Sequence, residues 1–574
     1  MKPNVIIVLT DDQGYGDLSC HGNPVLRTPC LDQLYNESVR FTDFHVSPVC
    51  SPTRSALMTG LDPVLAGIRS TCGVRSILRE GEPTLADIFR GHGYCTGQFG
   101  KWHLGGNYPF RPEDRGFDDS FYFRGWDLST VAAFWNSQCL DDVYLRNGRP
   151  EKATGYCTDV WFREAMQWML SCHQEENPFF AYIATNAPHW PWYVPDEYRA
   201  PYSHLPHLLA SFFGMIANLD ENIGRLNSML EESGLKNNTI LIYMTDNGTA
   251  KGEEIFNAGM RGKKGSLCEG GHRVPCFMRW PSAGIQGGKD IDALSAHIDI
   301  MPTLADLCGF TIREDDRREG ISLAPLLRGE SLSTGHTGRC IVVQSCPGEV
   351  PVKGKGTVMS EKWRLVDGME LYDVQTDPQQ QENILENHPD VADRLRKVYD
   401  HYWEDIATTF GYVARIRVGS IQEPVTELNC FDWHSSQGEI VIGQNSIREG
   451  KKGNGCWELW VEKEGEYVIS VRRWPVELDV AIADGVPAFQ PFDARYSKLS
   501  TGIPLPITVI RIEINGVRME KSVIYGDRET VFHVFLAEGE TILRAGFYDD
   551  EGKELTAAYY ASVYRLTKMA ESMI

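Results

Sequence analysis

The run CSPTRSALMTG at residues 50–60 sets a thiol, a proline and an arginine at two-residue intervals. Pro52 suits the first turn of a helix, where a missing N–H is no loss, so Cys50 falls at a helix N-terminus. Free N–H groups and the helix dipole make such an end an anion site. Arg54 adds a permanent, forked cation. Elsewhere, chemically capable side chains follow short apolar runs directly. Asp11 and Asp12 follow VIIVLT, and Lys101 and His103 lie in GKWHLG after YCTGQF. His189 lies in NAPHWP after FFAYIAT, and Asp246 and Asn247 follow TILIYMT. Each has an ordinary use when taken singly: an Asp after a strand commonly forms a turn, a lysine is solvated, and a histidine between prolines and aromatics packs in its loop. Together, Asp11, Asp12, Asp246 and Asn247 form a hard-oxygen set suited to Ca²⁺ or, less well, Mg²⁺. Zinc is disfavoured, because no cysteine or histidine pair has its spacing. With Arg54, Lys101, Lys264, His103 and His189 added, the set describes a pocket for a compact tetrahedral oxyanion ester.

These residues need elements that bring them to one place. Val5–Thr10, Tyr94–Phe99, Phe179–Thr185 and Thr239–Thr245 read as buried strands. Pro83–Arg90 reads as a short helix stopped by Gly91 and Gly93. Phe212, Ile216, Leu219, Ile223, Leu226 and Leu230 define one apolar helix face ended by Gly234. Strand–helix alternation of this kind predicts a mostly parallel, doubly wound α/β sheet, and in such sheets ligands bind beyond the carboxyl ends of the strands. From Trp363 to about Ile406 the pattern becomes a short strand, a turn at Asp377-Pro378 and a charged amphipathic helix from about His388. After about residue 411 helical periodicity gives way to alternating strands, among them Trp457–Glu462, Tyr467–Arg472, Val509–Ile514 and Thr530–Phe535. The expected division is 1–340 for the α/β part, 341–410 for a small subdomain and 411–574 for an all-β domain.

Bulk properties narrow the function. A chain of 574 residues is too long for one core. Its net charge of −22 repels nucleic acid and other polyanions, heavily sulfated polymers included. Fifteen cysteines, an odd number without a C-x-x-C pair, argue against a disulfide framework and for buried thiols. No apolar run is long enough to span a membrane. In MKPNVIIVLTDDQ the apolar stretch is short and two acids follow it, which is not a signal peptide. The expectation is a cytoplasmic protein, or a periplasmic or secreted one had a leader been removed.

CSPTRSALMTG resembles the signature of the type I, formylglycine-dependent sulfatases of the alkaline-phosphatase superfamily, arylsulfatases among them. LTDDQGYGDL at 9–18, GKWHLG at 100–105, APHWP at 187–191, TDNGT at 245–249, KGSLCEGGHRVP at 264–275 and LYDVQTDPQQQENI at 371–384 also match that family, in its order. The resemblance implies an alkaline-phosphatase-like core and a Ca²⁺ ion on Asp11, Asp12, Asp246 and Asn247. It implies oxidation of Cys50 to formylglycine by a maturation enzyme. The hydrated aldehyde attacks sulfur through one hydroxyl, and deprotonation of the other expels sulfate. Arg54 would hold the diol, Lys101 and Lys264 would neutralise sulfate oxygens, His103 would assist deprotonation, and His189 would protonate the leaving oxygen. A doubled lysine, Lys263-Lys264, leaves the spacing to Glu269-Gly270-Gly271 to select Lys264. Trp190, Trp192 and Tyr193, close after His189, are expected either to line the leaving-group pocket or to pack a proline-rich loop. The expected substrate is a small aryl, steroid or simple sugar sulfate. The alternatives are a phosphate or phosphonate ester hydrolase of the same superfamily, a glycan-specific sulfatase, and a carbohydrate-binding protein with an inactive α/β part.

Overall fold

The computed structural model describes residues 2–312, 317–332, 338–345, 350–435, 441–491 and 498–566. Its centre is a ten-stranded sheet. Four strands form the middle: β1 (Asn4–Thr10), β2 (Cys95–Lys101), β3 (Phe179–Ala184) and β4 (Thr239–Thr245). They lie in the order β4-β1-β3-β2 and are parallel throughout. Asp119–Phe123 extends the parallel run beyond β2, and Cys276–Arg279 closes antiparallel on β4. Alternate residues of β1 enter different cores: Val5, Ile7 and Leu9 face one, Ile6 and Val8 the other. A strand apolar on both faces requires helices on both sides of the sheet, which is the doubly wound arrangement expected.

The helices follow from local sequence. In α1 (Cys50–Thr59) every residue is buried, and Gly60 at φ 68° ends it. The helix expected over 83–90 is α2 (Leu85–Gly91). Pro83 stands before its cap, because Thr84 and Asp87 form a reciprocal capping box that fixes the start at Leu85. α3 (Cys157–Gln174) and α4 (His207–Glu232) cover one face of the sheet. The stripe read from the sequence divides between two clusters: Leu219, Ile223, Leu226 and Leu230 join the main core, whereas Phe212 and Ile216 pack with Leu26 and Tyr202. The four-residue helix α5 (Glu269–His272) precedes Cys276–Arg279.

A four-stranded antiparallel sheet follows, from Cys340–Gln344 to Glu370–Asp373, with the helix Pro389–Ala407 packed on it. Beyond it, two further sheets share one core containing Trp457, Ile469, Ile510, Phe532 and Val563, which makes a β-sandwich. The strands expected there are present with edges shifted by a residue or two, as in Gly465–Arg472 and Thr530–Leu536. The short helix Gln444–Arg448 was not expected. Among the described residues no helix is long and apolar enough to cross a membrane.

Candidate active site

The carboxyl ends of β1, β2, β3 and β4 project the expected residues to one edge of the sheet, where the N-terminus of α1 meets them. Val49 at the cap position has no side chain that could satisfy the first-turn N–H groups, so α1 presents them beside Cys50. The Cys50 sulfur and carboxylate oxygens of Asp11 and Asp246 lie within 4.8 Å of one another. The same bound holds for Asp11, Asp12 and His189.

Each carboxylate of the site has a close cation, and Arg54 also stands 3.7 Å from Asp11. Lys101 Nζ lies 2.6 Å from Asp11, Arg54 Nη2 2.7 Å from Asp246, and Lys264 Nζ 2.6 Å from Asp12. Arg54 also donates to the Lys101 carbonyl at 3.2 Å, and Asn247 Nδ2 donates to Asp12 at 2.9 Å. Burial pushes the Asp11 carboxyl well above its usual range, and Lys101 offsets this only in part. Burial acts the same way on Asp12, but Lys264, His189 and Asn247 outweigh it and hold that carboxyl low. Burial raises the Cys50 thiol, so an unmodified Cys50 is a poor nucleophile at neutral pH.

Asp12 and His103 have positive φ, 68° and 59°. A left-handed backbone at such residues costs about 1–3 kcal/mol and persists where a site over-determines it. His103 Nε2 donates to the Thr71 carbonyl at 2.7 Å, which leaves Nδ1 a buried lone pair without a partner. Burial, with Lys101, drives His103 well below its ordinary value, so the ring is neutral, with Nδ1 as its lone-pair nitrogen. His189 Nδ1 donates to the Trp190 carbonyl, and burial with Lys264 lowers this ring to about 3. Lys264 and His189 retain side-chain exposures of 25% and 11%, so the site opens to solvent beside them.

The oxygen set fits a hard cation. Asp11 Oδ1 and Asn247 Oδ1, from two adjacent strand ends, are buried without a hydrogen-bond partner. Oxygen atoms left unpaired in this way are what such a cation takes up.

The three aromatics after His189 separate. Trp190 is 44% exposed. Trp192 meets Trp190 edge-on at 5.1 Å and Phe212 at 6.2 Å, and Trp192 and Tyr193 pack against the core of α3 and α4. Packing accounts for Trp192 and Tyr193, and Trp190 is the exposed ring of the three. Four neighbours escaped the sequence reading. Ser51 Oγ donates to the His103 carbonyl at 2.6 Å and was visible only as a hydroxyl inside the 50–60 run. Thr71, Trp126 and Phe431 had no local signal. Trp126 and Phe431 stand 6.4 and 6.3 Å from the His103 ring, and Phe431 comes from the β-sandwich.

A pocket of cations and oxygen ligands at the carboxyl edge of a doubly wound sheet defines an ester hydrolase of the alkaline-phosphatase superfamily. The family follows from comparison. The family model described as Sulfatase matches residues 3–310, and the one described as N-sulphoglucosamine sulphohydrolase, C-terminal, matches residues 263–404. The chain belongs to the sulfatase family and is a sulfuric ester hydrolase. It is 31% identical to arylsulfatase A of Homo sapiens over 356 residues, 58% of this chain and 69% of that protein. It is 27% identical to N-acetylgalactosamine-6-sulfatase of Rattus norvegicus over 359 residues, 57% of this chain and 66% of that protein. Among solved structures, Ps i-CgsB in complex with k-i-k-neocarrahexaose matches with a TM-score of 0.64 and 25% identity, over 72% of this chain and 100% of that one. Family membership implies a metal ion and a formylglycine.

Proposed function

We propose that the chain hydrolyses sulfate monoesters of small organic molecules (aryl, steroid or simple sugar sulfates) to an alcohol and inorganic sulfate. The observation that carries this is the seat of Cys50. It is buried against Asp11 and Asp246 among Lys101, Lys264 and Arg54, while the site opens beside Lys264 and His189. A sulfate ester would set its compact anionic group beside Cys50 and its leaving group toward the open side at Lys264 and His189. Residue 50 acts as formylglycine, installed by a maturation enzyme. Its hydrate supplies one hydroxyl for attack on sulfur and a second whose deprotonation releases sulfate. Asp11, Asp12, Asp246 and Asn247 hold the cation, Ca²⁺ in preference to Mg²⁺, which supplies fixed positive charge. Lys101 and Lys264 neutralise sulfate oxygens and Arg54 holds the diol, preset charges of the kind that contribute most to such catalysis. His103 Nδ1 accepts the diol proton. His189 gives a proton to the leaving oxygen; neutral at rest, it must gain that proton as the negative ester arrives. The division at about residues 340 and 411 belongs to the same reading, with the part after 411 shaping access through Phe431.

A second reading, a glycan-specific sulfatase, is favoured by the likeness to N-acetylgalactosamine-6-sulfatase and to a sulfatase-fold structure that contains a neocarrahexaose. Turnover of an aryl sulfate, an aryl phosphate, a sulfated monosaccharide and a sulfated polysaccharide separates the readings, with Cys50→Ala as control and peptide mass spectrometry of residue 50. The expected result is a preference for small sulfates over the phosphate and the polymer, an aldehyde at residue 50, and no turnover by the variant. Preference for the polymer selects the second reading. Full activity with an unmodified thiol refutes the mechanism.

A further inference from the structure

A second group of buried ligand atoms lies away from the strand ends. His45, Glu269 and His272 are fully buried, and one ligand atom from each lies within 4.8 Å of the other two. His45 and His272 stand 227 positions apart in the chain, which is why no spacing in the sequence could show them. Their ring orientations are fixed from outside. His45 Nε2 faces Asp43 Oδ1 at 2.9 Å, and His272 Nε2 faces the Leu267 carbonyl at 3.2 Å. Arg364 Nη2 also stands 3.5 Å from His45 Nε2, but the shorter contact to the Asp43 carboxylate, like that of His272 to the Leu267 carbonyl, assigns a hydrogen to each Nε2. In neutral rings the two Nδ1 atoms then carry lone pairs, and they face each other at 2.9 Å. Lone pairs so placed repel unless a cation stands between them. Glu269 Oε2 is buried without a hydrogen bond; Arg273 Nη1 stands 3.7 Å from it, and that guanidinium already donates twice to the Thr42 carbonyl.

A shared proton would satisfy the two nitrogens and leave Glu269 Oε2 unpaired. A metal ion would satisfy all three atoms. Histidine ligands that donate their other ring N–H to a carboxylate or a backbone carbonyl are the usual second-shell arrangement around metals. Arg364 is engaged elsewhere, at 2.8 Å with Glu269 Oε1 and 2.7 Å with Asp43 Oδ1, and makes no hydrogen bond to Glu269 Oε2. We propose that His45 Nδ1, His272 Nδ1 and Glu269 Oε2 bind a structural zinc ion, separate from the hard-cation site at the strand ends. Two imidazoles and a carboxylate suit zinc better than Ca²⁺ or Mg²⁺. The nitrogens would have to part by on the order of half an ångström to reach tetrahedral spacing.

The site has a mechanical consequence. Val46 N donates to the His272 carbonyl at 2.8 Å and Val274 N to the Phe44 carbonyl at 3.0 Å. The ion would clamp the segment that leads into Cys50 onto the one that follows Lys264.

The test uses full-length enzyme purified without chelator and held in excess Ca²⁺, which occupies the hard-cation site. Elemental analysis should find one zinc per chain, and absorption at the zinc edge should show nitrogen and oxygen ligands at about 2.0–2.1 Å. Stripping with chelator and restoring Ca²⁺ should lower the thermal midpoint, and added zinc should restore it saturably. His272→Gln should abolish both the bound zinc and the response. Only trace zinc in the wild type with no response to added zinc overturns the proposal and leaves a shared proton, as does undiminished zinc in His272→Gln. If that variant does not fold, the wild-type strip-and-reload result decides.

Discussion

Replacing Arg54 with methionine would expose how the site holds its own charge. Asp11, Asp12 and Asp246 are buried, and each lies within 2.7 Å of a cation, Lys101, Lys264 and Arg54 respectively. Arg54 is fully buried, 2.7 Å from Asp246 and 3.7 Å from Asp11. Methionine keeps much of the side chain's length and removes the guanidinium, so Asp246 loses its ion pair. A unit pair about 4 Å apart is worth about 4 kcal/mol at an effective dielectric of about 20. Breaking one side of a buried pair costs about 3–5 kcal/mol in practice. Against the roughly 5–15 kcal/mol that holds a domain folded, that is a large share. A divalent cation on the same carboxylates supplies positive charge that the missing guanidinium no longer provides. The loss should therefore be near its full value in chelator and clearly smaller in Ca²⁺. The assay is urea denaturation of wild type and Arg54→Met under both conditions, with aryl sulfate turnover measured in Ca²⁺. Stability should recover in Ca²⁺ while turnover stays lost, because Arg54 is also placed to hold the diol. An equal loss under both conditions, or a greater one in Ca²⁺, would show that the arginine and the cation do not share these carboxylates.

Two further outcomes follow from packing and burial. Trp190→Ala should weaken binding of a bulky aryl or steroid sulfate more than that of a minimal alkyl sulfate, read as KM, whereas Trp192→Ala should lower the thermal midpoint, because that ring packs on Phe212; the reverse pattern would place the leaving group on Trp192. Asp432, buried in the sandwich part near Arg124, has its carboxyl raised to about 7 by burial, which Arg124 offsets only in part. A carboxyl raised in the folded state gives stability that is present at low pH and lost as pH rises through the folded value, here from about 4 to about 7, for at most ~4 kcal/mol. Asp432→Asn should therefore gain stability relative to wild type between pH 4 and pH 8 in urea denaturation, and an unchanged difference would refute the raised value.

What the sequence made legible was whatever chemistry attaches to a chain-local pattern. β1, β3 and β4 are continuous apolar runs, and a strand buried on both faces has to look that way. Their carboxyl-terminal residues then fall at one edge of the sheet, so strand pattern alone groups Asp11, His189 and Asp246. Position 50 was legible because a proline in a first helical turn fixes where the helix starts. Relations made by packing across long separations were not legible. Thr71 acts through a backbone carbonyl, which any residue type would provide, so its identity carries no signal. Phe431 reaches His103 from a short helical turn of the β-sandwich part, more than 300 residues along the chain. The aromatics after His189 show the limit most directly. Three adjacent rings look equivalent in sequence, yet the core of α3 and α4 takes Trp192 and Tyr193 and leaves Trp190 outside. The pairing of charges was equally hidden. Composition shows acids and lysines, and motif order shows that they meet. Only the distances show that Lys101 and Lys264, expected to meet sulfate, and Arg54, expected to hold the diol, each already hold a carboxylate. An incoming sulfate must therefore share Lys101 with Asp11 and Lys264 with Asp12. Positive charge placed on the oxygen side of the same carboxylates makes that sharing easier, which gives the cation a physical role even before any bond to sulfur changes.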